Sequence, residues 1–255
     1  MPNSGGWNNI RMSLEIIMVI AAATGRTVVL PPDSPLYLLT LDKNKKQRGF
    51  ADFFPIHTEK FYRRVPVIST AEFLRREGGP DGVIPIPDEK REAILKVQSE
   101  CVRRSKDALY CGPLFGLLRD LGVVPELSQG NCLVFDEEVF RGGEMAIKSQ
   151  KHVQEFCNQR NVVFYDGALG GAPLIHFATS DKQHRLLFHF YTFLTFTNPV
   201  HDNHYKRFVR DFMHYHDPYV SRCSCISCFD FRLKTPNKSH IAFDFSLRYF
   251  KQLHR

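Results

Sequence analysis

One segment near the start of the chain limits its fold more than any other. Residues 16–23 form an unbroken apolar run, Ile-Ile-Met-Val-Ile-Ala-Ala-Ala, and Gly25 follows two positions later. Such a run favours a buried helix, and a glycine directly after it is a usual helix stop. Residues 27–32, Thr-Val-Val-Leu-Pro-Pro, predict a short strand that ends at the prolines. The sequence therefore predicts a helix over 10–23 that leads straight into a strand, as in an α/β unit.

Alternating helix and strand patterns continue along the chain. Short β-branched or aromatic segments predict strands at 65–68, 131–135 and 161–165. Helix-forming segments predict helices at 70–76, behind a Ser69 cap, and at 89–109, 114–121, 182–196 and 201–216. Three glycines at 167, 170 and 171 predict a loop, because Pro173 argues against a phosphate-binding helix start. Residues 221–255 show no period and predict an irregular tail.

The composition is that of a globular protein. The 255 residues are 43% hydrophobic and 24% charged, which suits one large or two small domains and excludes disorder, collagen and coiled coil. The run at 16–23 is much shorter than the roughly 20 apolar residues of a membrane span, so no transmembrane segment is predicted. The uncharged start of the chain predicts no signal peptide. The net charge of +7 favours anionic partners such as phosphates, nucleic acid or sulfated glycans.

The cysteines and histidines do not predict a metal site. Seven cysteines are too sparse for a small disulfide scaffold, and the odd number leaves at least one thiol unpaired, so the redox compartment stays open. Cys223, Cys225 and Cys228 could hold zinc with a nearby histidine, but the usual paired C-x-x-C spacing is absent. Four histidines could suggest a metal site, but they fit a polar helix face equally well. These are His201, His204, His214 and His216.

The glycine-rich loop ahead of the first helix is the strongest candidate site. It consists of Gly5, Gly6, Trp7, Asn8, Asn9, Ile10 and Arg11. Free backbone N–H groups and the dipole at a helix start can hold a phosphate, and the glycines permit its close approach. An ordinary glycine turn capped by Asn8 or Asn9 explains the same residues without a ligand.

Two stretches of the chain resemble one family. The sequence GGWNNIRMSLE, the apolar helix and ATGRTVVLPP are similar to the opening of the GDP-fucose protein O-fucosyltransferase family, whose loop follows the pattern G-G-x-N-x-x-R. Residues 176–220, which include the block Lys-Arg-Phe-Val-Arg-Asp at 206–211, are similar to the middle of its algal and fungal-type members. The resemblance thus spans residues 1–220.

The resemblance implies an α/β fold of Rossmann-like layers, half or more of a GT-B type glycosyltransferase. It implies transfer of fucose from GDP-fucose to a serine or threonine hydroxyl of a protein acceptor, with inversion and with neither a metal nor another cofactor. It also implies residence in the endoplasmic reticulum or Golgi. The expected partners are a nucleotide sugar and a protein acceptor, with no nucleic acid.

The resemblance also assigns roles within the glycine-rich loop. Gly5 and Gly6 would approach the substrate, and Asn8 would lie near the reacting centre as the catalytic residue. Asn9 and Arg11 would bind substrate. These residue types suit the chemistry, because a departing diphosphate needs fixed donors and an oxocarbenium-like sugar needs orientation.

The same resemblance divides the chain and shows where it departs from the family pattern. Residues 1–180 would form a Rossmann-like domain with the glycine-rich loop, 181–220 a helical linker, and 221–255 a tail outside the family register. A later family signature, H-x-R-x-G-D, is not found, since Ala242 stands where the sequence after His240 would need arginine. No strand precedes the glycine-rich loop. The sequence therefore predicts a chain truncated at both ends.

Two other classes of function remain open at this stage. The chain could be a non-catalytic pseudoenzyme or basic binding module that holds anionic glycans or nucleic acid through its basic clusters at 43–48 and 206–210. Binding of that kind weakens steeply with salt, whereas a nucleotide-sugar site selects GDP over other nucleotides. A protein stabilised by zinc at residues 223–228 would instead unfold with chelator.

Overall fold

The structure is a computed structural model that describes residues 7–30, 53–77, 82, 88–103, 116–117, 119–121, 125–128, 130–136, 144–177, 192–214 and 240–243. Its helices are α1 (Trp7–Thr24), α2 (Glu59–Tyr62), α3 (Thr70–Arg76), α4 (Asp88–Arg103), α5 (Glu144–Cys157), α6 (Gly167–Gly171) and α7 (Pro199–Phe212). Its strands are β1 (Thr27–Leu30), β2 (Val67–Ser69), β3 (Glu126–Leu127), β4 (Asn131–Phe135), β5 (Asn161–Phe164), β6 (Leu174–Phe177), β7 (Leu194–Phe196) and β8 (His240–Phe243).

The strands form two parallel sheets. One has the order β2-β1-β8-β6-β3 and the other the order β5-β4-β7. In the first sheet Val28 aligns with Val67 on one side and with Ile241 on the other. In the second, Leu133 aligns with both Val163 and Leu194. Parallel neighbours need crossover connections, as helices provide in α/β proteins, so the predicted α/β class is confirmed.

The predicted helix–strand segment at the start of the chain is confirmed. Helix α1 ends at Thr24, whose hydroxyl donates to the Ile20 carbonyl at 2.7 Å. Gly25 then has φ 67°, a left-handed conformation that only glycine adopts without cost, and β1 begins two residues later. Every residue from 13 to 21 is buried, so this part of α1 is enclosed on all sides.

The Ser69 cap and its helix are also confirmed. The Ser69 hydroxyl accepts a hydrogen bond from the Glu72 amide at 3.1 Å, and α3 runs from the next residue to Arg76. A serine at this position satisfies an amide that has no partner within the helix. Local chemistry therefore sets where β2 ends and α3 begins.

A fully buried arginine joins β1 to the second half of the chain. The Arg26 guanidinium donates to the carbonyls of Leu169, Gly170 and Ala172 at 3.0, 2.9 and 2.8 Å. It also donates to the Tyr165 hydroxyl at 3.1 Å. The carbonyls at the carboxyl end of a helix carry partial negative charge, so a cation is favourable there. Arg26 thereby fixes α6 against the turn between α1 and β1.

The loop prediction for the glycines at 167, 170 and 171 is wrong, because these residues form α6. The Asp166 carboxylate caps the helix by accepting hydrogen bonds from the Ala168 and Leu169 amides at 3.0 and 3.3 Å. Arg26 binds the carbonyls at the other end. Contacts at both ends thus offset the low intrinsic helix propensity of glycine.

The predicted helix over 182–196 is wrong at its end, because Leu194–Phe196 is strand β7. Residues 182–191 lie outside the described part of the chain. Thr195 and Phe196 are residue types that favour strands, and pairing with β4 decides the conformation. The next predicted helix is confirmed as α7, which Asn198 caps by accepting from the Val200 amide at 2.9 Å.

Strand β8 lies in the segment for which the sequence showed no period. Ile241 aligns with Val28 of β1 and with Ile175 of β6, so β8 occupies the centre of the five-stranded sheet. Four residues are too few to show periodicity, and both partners are distant in sequence. The division of the chain at residues 180 and 220 stays a prediction.

A disulfide joins the second sheet to the helix beside it. Cys132 of β4 and Cys157, the last residue of α5, are bonded with an S–S distance of 2.02 Å, and both are fully buried. The other five cysteines lie where the structure describes no side chain. Two of the seven cysteines are therefore paired with each other in this structure.

A buried histidine links β3 to β6. His176 Nδ1 lies 3.1 Å from Glu126 Oε2, and Arg119 donates to the same oxygen at 2.6 Å. The hydrogen bond from His176, assisted by Arg119, lowers the pKa of Glu126 to about 2. The two strands are therefore joined by a side-chain network as well as by backbone pairing.

We expect Arg26→Met to destabilise the protein by about 3–5 kcal/mol, because it removes the partner of three carbonyls and a tyrosine hydroxyl in a buried setting. Urea unfolding followed by circular dichroism measures this loss. Arg63→Met is the matched control, since Arg63 forms an exposed pair with Glu59, and it should change the free energy of unfolding by less than about 1 kcal/mol. Equal effects of the two substitutions would contradict the role given to Arg26.

We expect loss of the disulfide to cost about 3.5 kcal/mol, because the bond closes a loop with a sequence separation of 25 residues. The measurement is the urea midpoint of Cys132→Ala/Cys157→Ala against the oxidised protein. Reductant should lower the midpoint of the oxidised protein and leave that of the double variant unchanged. If reductant leaves the urea midpoint of the oxidised protein unchanged, this bond does not form.

Candidate functional site

The amino end of α1 carries the residues that the sequence analysis singled out. Gly5 and Gly6 lie outside the described residues. Asn8 and Asn9 belong to the first turn of α1, and the structure describes their backbone but not their side chains. The first amides of an 18-residue helix have no partners within the helix and carry partial positive charge. The backbone here is therefore suited to an anionic ligand.

Arg11 is the predicted site residue whose side chain the structure describes. Its Nε donates to Oε1 of Glu15 at 2.6 Å, one helical turn further on. The Arg11 side chain is 31% exposed, whereas that of Glu15 is 2% exposed. The pair thus connects the partly open end of α1 to its enclosed middle.

A cavity of about 360 Å³ lies between α1, β7 and α7. This volume falls in the usual range for pockets that bind small molecules. Its lining is mainly apolar with a few polar groups, which is also usual for such pockets. The lining residues are Glu15, Ile16, Val19, Leu194, Phe196, Asp202, Tyr205, Lys206 and Val209.

The polar groups of the cavity come from α1 and α7. Glu15 contributes its buried carboxylate from α1. Lys206 and Asp202 form an ion pair on α7. Burial raises the pKa of the Tyr205 hydroxyl above its ordinary value, so this group stays protonated at neutral pH and can donate a hydrogen bond.

A column of four stacked aromatic rings leads to the cavity. Tyr165 stacks on Phe135 at 4.9 Å, Phe135 on Phe196 at 4.9 Å, and Phe196 on Tyr205 at 4.7 Å between ring centroids. Phe135 and Phe196 end β4 and β7, and Tyr165 directly follows β5, so the column marks the carboxyl edge of the parallel sheet. Ligands of open α/β sheets bind outside this edge.

The structure brings together the two segments that carried the family resemblance. The α1 segment and the α7 segment are about 190 positions apart in sequence, yet they face each other across the cavity. Phe208, in the block at 206–211, is buried in the same core as Leu14 and Ile17 of α1. Residues of both segments thus line one cavity.

The described residues contain no group of three or more His, Cys, Asp or Glu side chains that could hold a metal ion. His201, His204 and His214 are among them, whereas His216 and the cysteines at 223, 225 and 228 lie outside. The zinc hypothesis for that cysteine cluster is therefore not tested. In the part of the chain that the structure describes, no helix is long and apolar enough to cross a membrane.

Glu15 and Tyr205 are site residues that the sequence analysis did not select. Glu15 had a recognisable signal, because it is a charged residue between apolar Leu14 and Ile16, at ion-pair spacing from Arg11. Tyr205 had no such signal, since the column that it joins through Phe196 is completed by Phe135 and Tyr165, which are far away in sequence. Only the tertiary structure shows that it lines a cavity.

These observations define an α/β protein with a ligand-sized cavity at the carboxyl edge of a parallel sheet and beside a helix that begins in a glycine-rich loop. Comparison with known families gives a match to the model of GDP-fucose protein O-fucosyltransferase over residues 1–223. The chain belongs to this family, and it is fucosyltransferase-like, with a nucleotide-sugar donor and a protein acceptor implied. No curated protein and no solved structure matches the chain.

Proposed function

We propose that this protein transfers fucose from GDP-fucose to a serine or threonine hydroxyl of a protein acceptor. One observation carries the proposal. The family match covers both α1 and α7, and residues of these two distant helices line one cavity at the edge of a parallel sheet. We further propose that the two parallel sheets belong to the Rossmann-like layers of a GT-B type fold.

In this reaction the two glycines, Asn9 and Arg11 hold the donor. Gly5 and Gly6 let the diphosphate approach the backbone, while Asn9, Arg11 and the first amides of α1 donate to it. The acceptor oxygen attacks C1 of fucose opposite to GDP. The bond from C1 to the phosphate oxygen breaks as the new C1–O bond forms, GDP departs with the electron pair of the broken bond, and the proton of the acceptor hydroxyl is released to solvent.

Asn8 has the catalytic role in the proposal, next to the reacting centre. An amide can orient the sugar and the attacking hydroxyl without becoming charged, which suits an oxocarbenium-like transition state. The negative charge that develops on the departing GDP is stabilised by donors already in place, so no metal is required.

Strand β8 has a bearing on how the donor is held. In the register of the sheet, Ala242 aligns with Val29 of β1 and with His176 of β6. An alanine supplies no hydrogen-bond donor from its side chain. In the proposal, the amino end of α1 and Arg11 therefore carry most of the contact with the diphosphate.

The disulfide supports a location in the secretory pathway. Bonds such as Cys132–Cys157 persist in oxidising compartments and are rare in the cytosol. We propose the endoplasmic reticulum or Golgi, which is where members of this family typically reside. A nucleotide sugar and a protein acceptor are the partners in this proposal.

The alternative of a basic binding module is less well supported. Residues 43–48 lie outside the described part of the chain. In the second cluster, Lys206 is paired with Asp202 and lines the cavity, and Phe208 is buried in the core. The family match also favours a transferase over a general anion binder.

We expect the purified chain to bind GDP and GDP-fucose in preference to ADP in calorimetric titration. Arg11→Met should weaken binding of both guanine nucleotides about 10- to 100-fold, because a charge-assisted hydrogen bond is lost. Asn8→Ala should slow transfer of fucose to an acceptor peptide more than it weakens GDP binding. Arg63→Met is the control, because it removes an exposed arginine with the same ion-pair spacing and should leave binding unchanged.

Arg11→Met leaves the buried Glu15 without this arginine, so folding needs its own control. The double variant Arg11→Met/Glu15→Gln carries neither charge of the pair, so it separates the loss of the arginine from the effect of a buried carboxylate that lacks this arginine. It should remain folded by circular dichroism and bind GDP as weakly as Arg11→Met. Equal binding of GDP and ADP by the wild-type chain would refute the proposed function.

A further inference from the structure

Glu15 is a charged residue where stability alone would favour an apolar one. It is 2% exposed and is flanked in the enclosed part of α1 by apolar residues from Leu14 to Ala21. Moving a carboxylate out of water is costly, and replacing a buried ion pair with apolar residues of similar size is often neutral or stabilising. The pair with Arg11 therefore needs an explanation beyond folding.

The orientation of the pair strengthens this point. Arg11 lies towards the amino end of α1 and Glu15 one turn further from it. Helix dipoles favour the opposite arrangement, with the acidic residue nearer the amino end. An ion pair that served only to stabilise α1 would have its charges exchanged.

The contact itself fixes the direction of the arginine. Glu15 accepts from Nε, the guanidinium nitrogen closest to the main chain, at 2.6 Å. The guanidinium group is planar and rigid, so a short contact at Nε orients all of its remaining N–H donors. Arg11 is partly exposed while Glu15 is not, so the anchor is inside the protein and the anchored group faces its surface.

We propose that Glu15 is a positioning residue that holds the Arg11 guanidinium ready for the diphosphate of the donor. The inference rests on the proposed function, because it needs the donor to bind at the amino end of α1. Glu15 also lines the cavity, and its carboxylate acts on the diphosphate through Arg11 rather than by direct contact. It acts by removing the rotational freedom that Arg11 would otherwise lose when the ligand binds.

The size of the effect follows from that cost. Immobilising one long side chain opposes binding by an amount that corresponds to about 3- to 10-fold in affinity. Glu15→Gln keeps the side-chain length and removes the charge, so it should weaken GDP binding by this factor. Glu15→Asp keeps the charge but shortens the side chain, so it should also weaken GDP binding several-fold. It provides a second test if the glutamine variant folds poorly.

The test is a set of GDP titrations on the full chain, with weak binding followed by ligand-observed NMR. Glu15→Gln should weaken binding in the wild-type background and should have no further effect when Arg11 is already methionine. Glu59→Gln is the matched control, since Glu59 makes an exposed 2.6 Å pair with Arg63 at the same spacing, and it should not change GDP affinity. Thermal midpoints measured in parallel separate folding from binding.

Three results would overturn the inference, and they differ in what they mean for the proposed function. If Arg11→Met weakens GDP binding while folded Glu15→Gln and Glu15→Asp bind as the wild type does, Glu15 has no positioning role and the proposed function survives. An equal loss of GDP affinity from Glu15→Gln in the wild-type and the Arg11→Met proteins would also show that Glu15 does not act through Arg11. If the wild-type chain shows no preference for GDP, the proposed function fails and this inference fails with it.

Discussion

The middle of α1 is enclosed on every side, and a charged group in such a setting is stabilised by pairing. Residues 13–21 are all buried, and Glu15 is among them. Its partner Arg11 stands one turn nearer the glycine-rich loop. Helix α1 therefore belongs both to the core and to the candidate site. Its buried middle packs against α7 and β7, and Glu15 in that part fixes the direction of Arg11.

The other end of α1 shows the same relation between burial and pairing. Arg26 is fully buried because the carbonyls of α6 and the Tyr165 hydroxyl receive its hydrogen bonds. Tyr165 in turn begins the aromatic column that ends at Tyr205 in the cavity. A continuous series of contacts therefore runs from the turn after α1, along the carboxyl edge of the second sheet, to the cavity wall.

Features set by neighbouring residues were predictable from the sequence. The end of α1 at Gly25, strand β1 and the Ser69 cap each depend on side chains within a few positions of one another, and all were confirmed. Strands β7 and β8 and the helix α6 were not predictable, because partners distant in sequence stabilise them. Strand β7 pairs with β4, β8 pairs with β1 and β6, and α6 is bound by Arg26. The loop residues near Arg11 were recognised through family resemblance, whereas Tyr205 required the fold.

In the proposed function α1 and α7, far apart in sequence, form one donor site. Hydrogen–deuterium exchange with and without GDP-fucose tests it directly, because bound ligand slows the opening of the backbone that it contacts. We expect slower exchange in both segments, at residues 7–15 and 199–209, and little change in α4. Protection limited to one of the two segments, or located elsewhere in the chain, would contradict it.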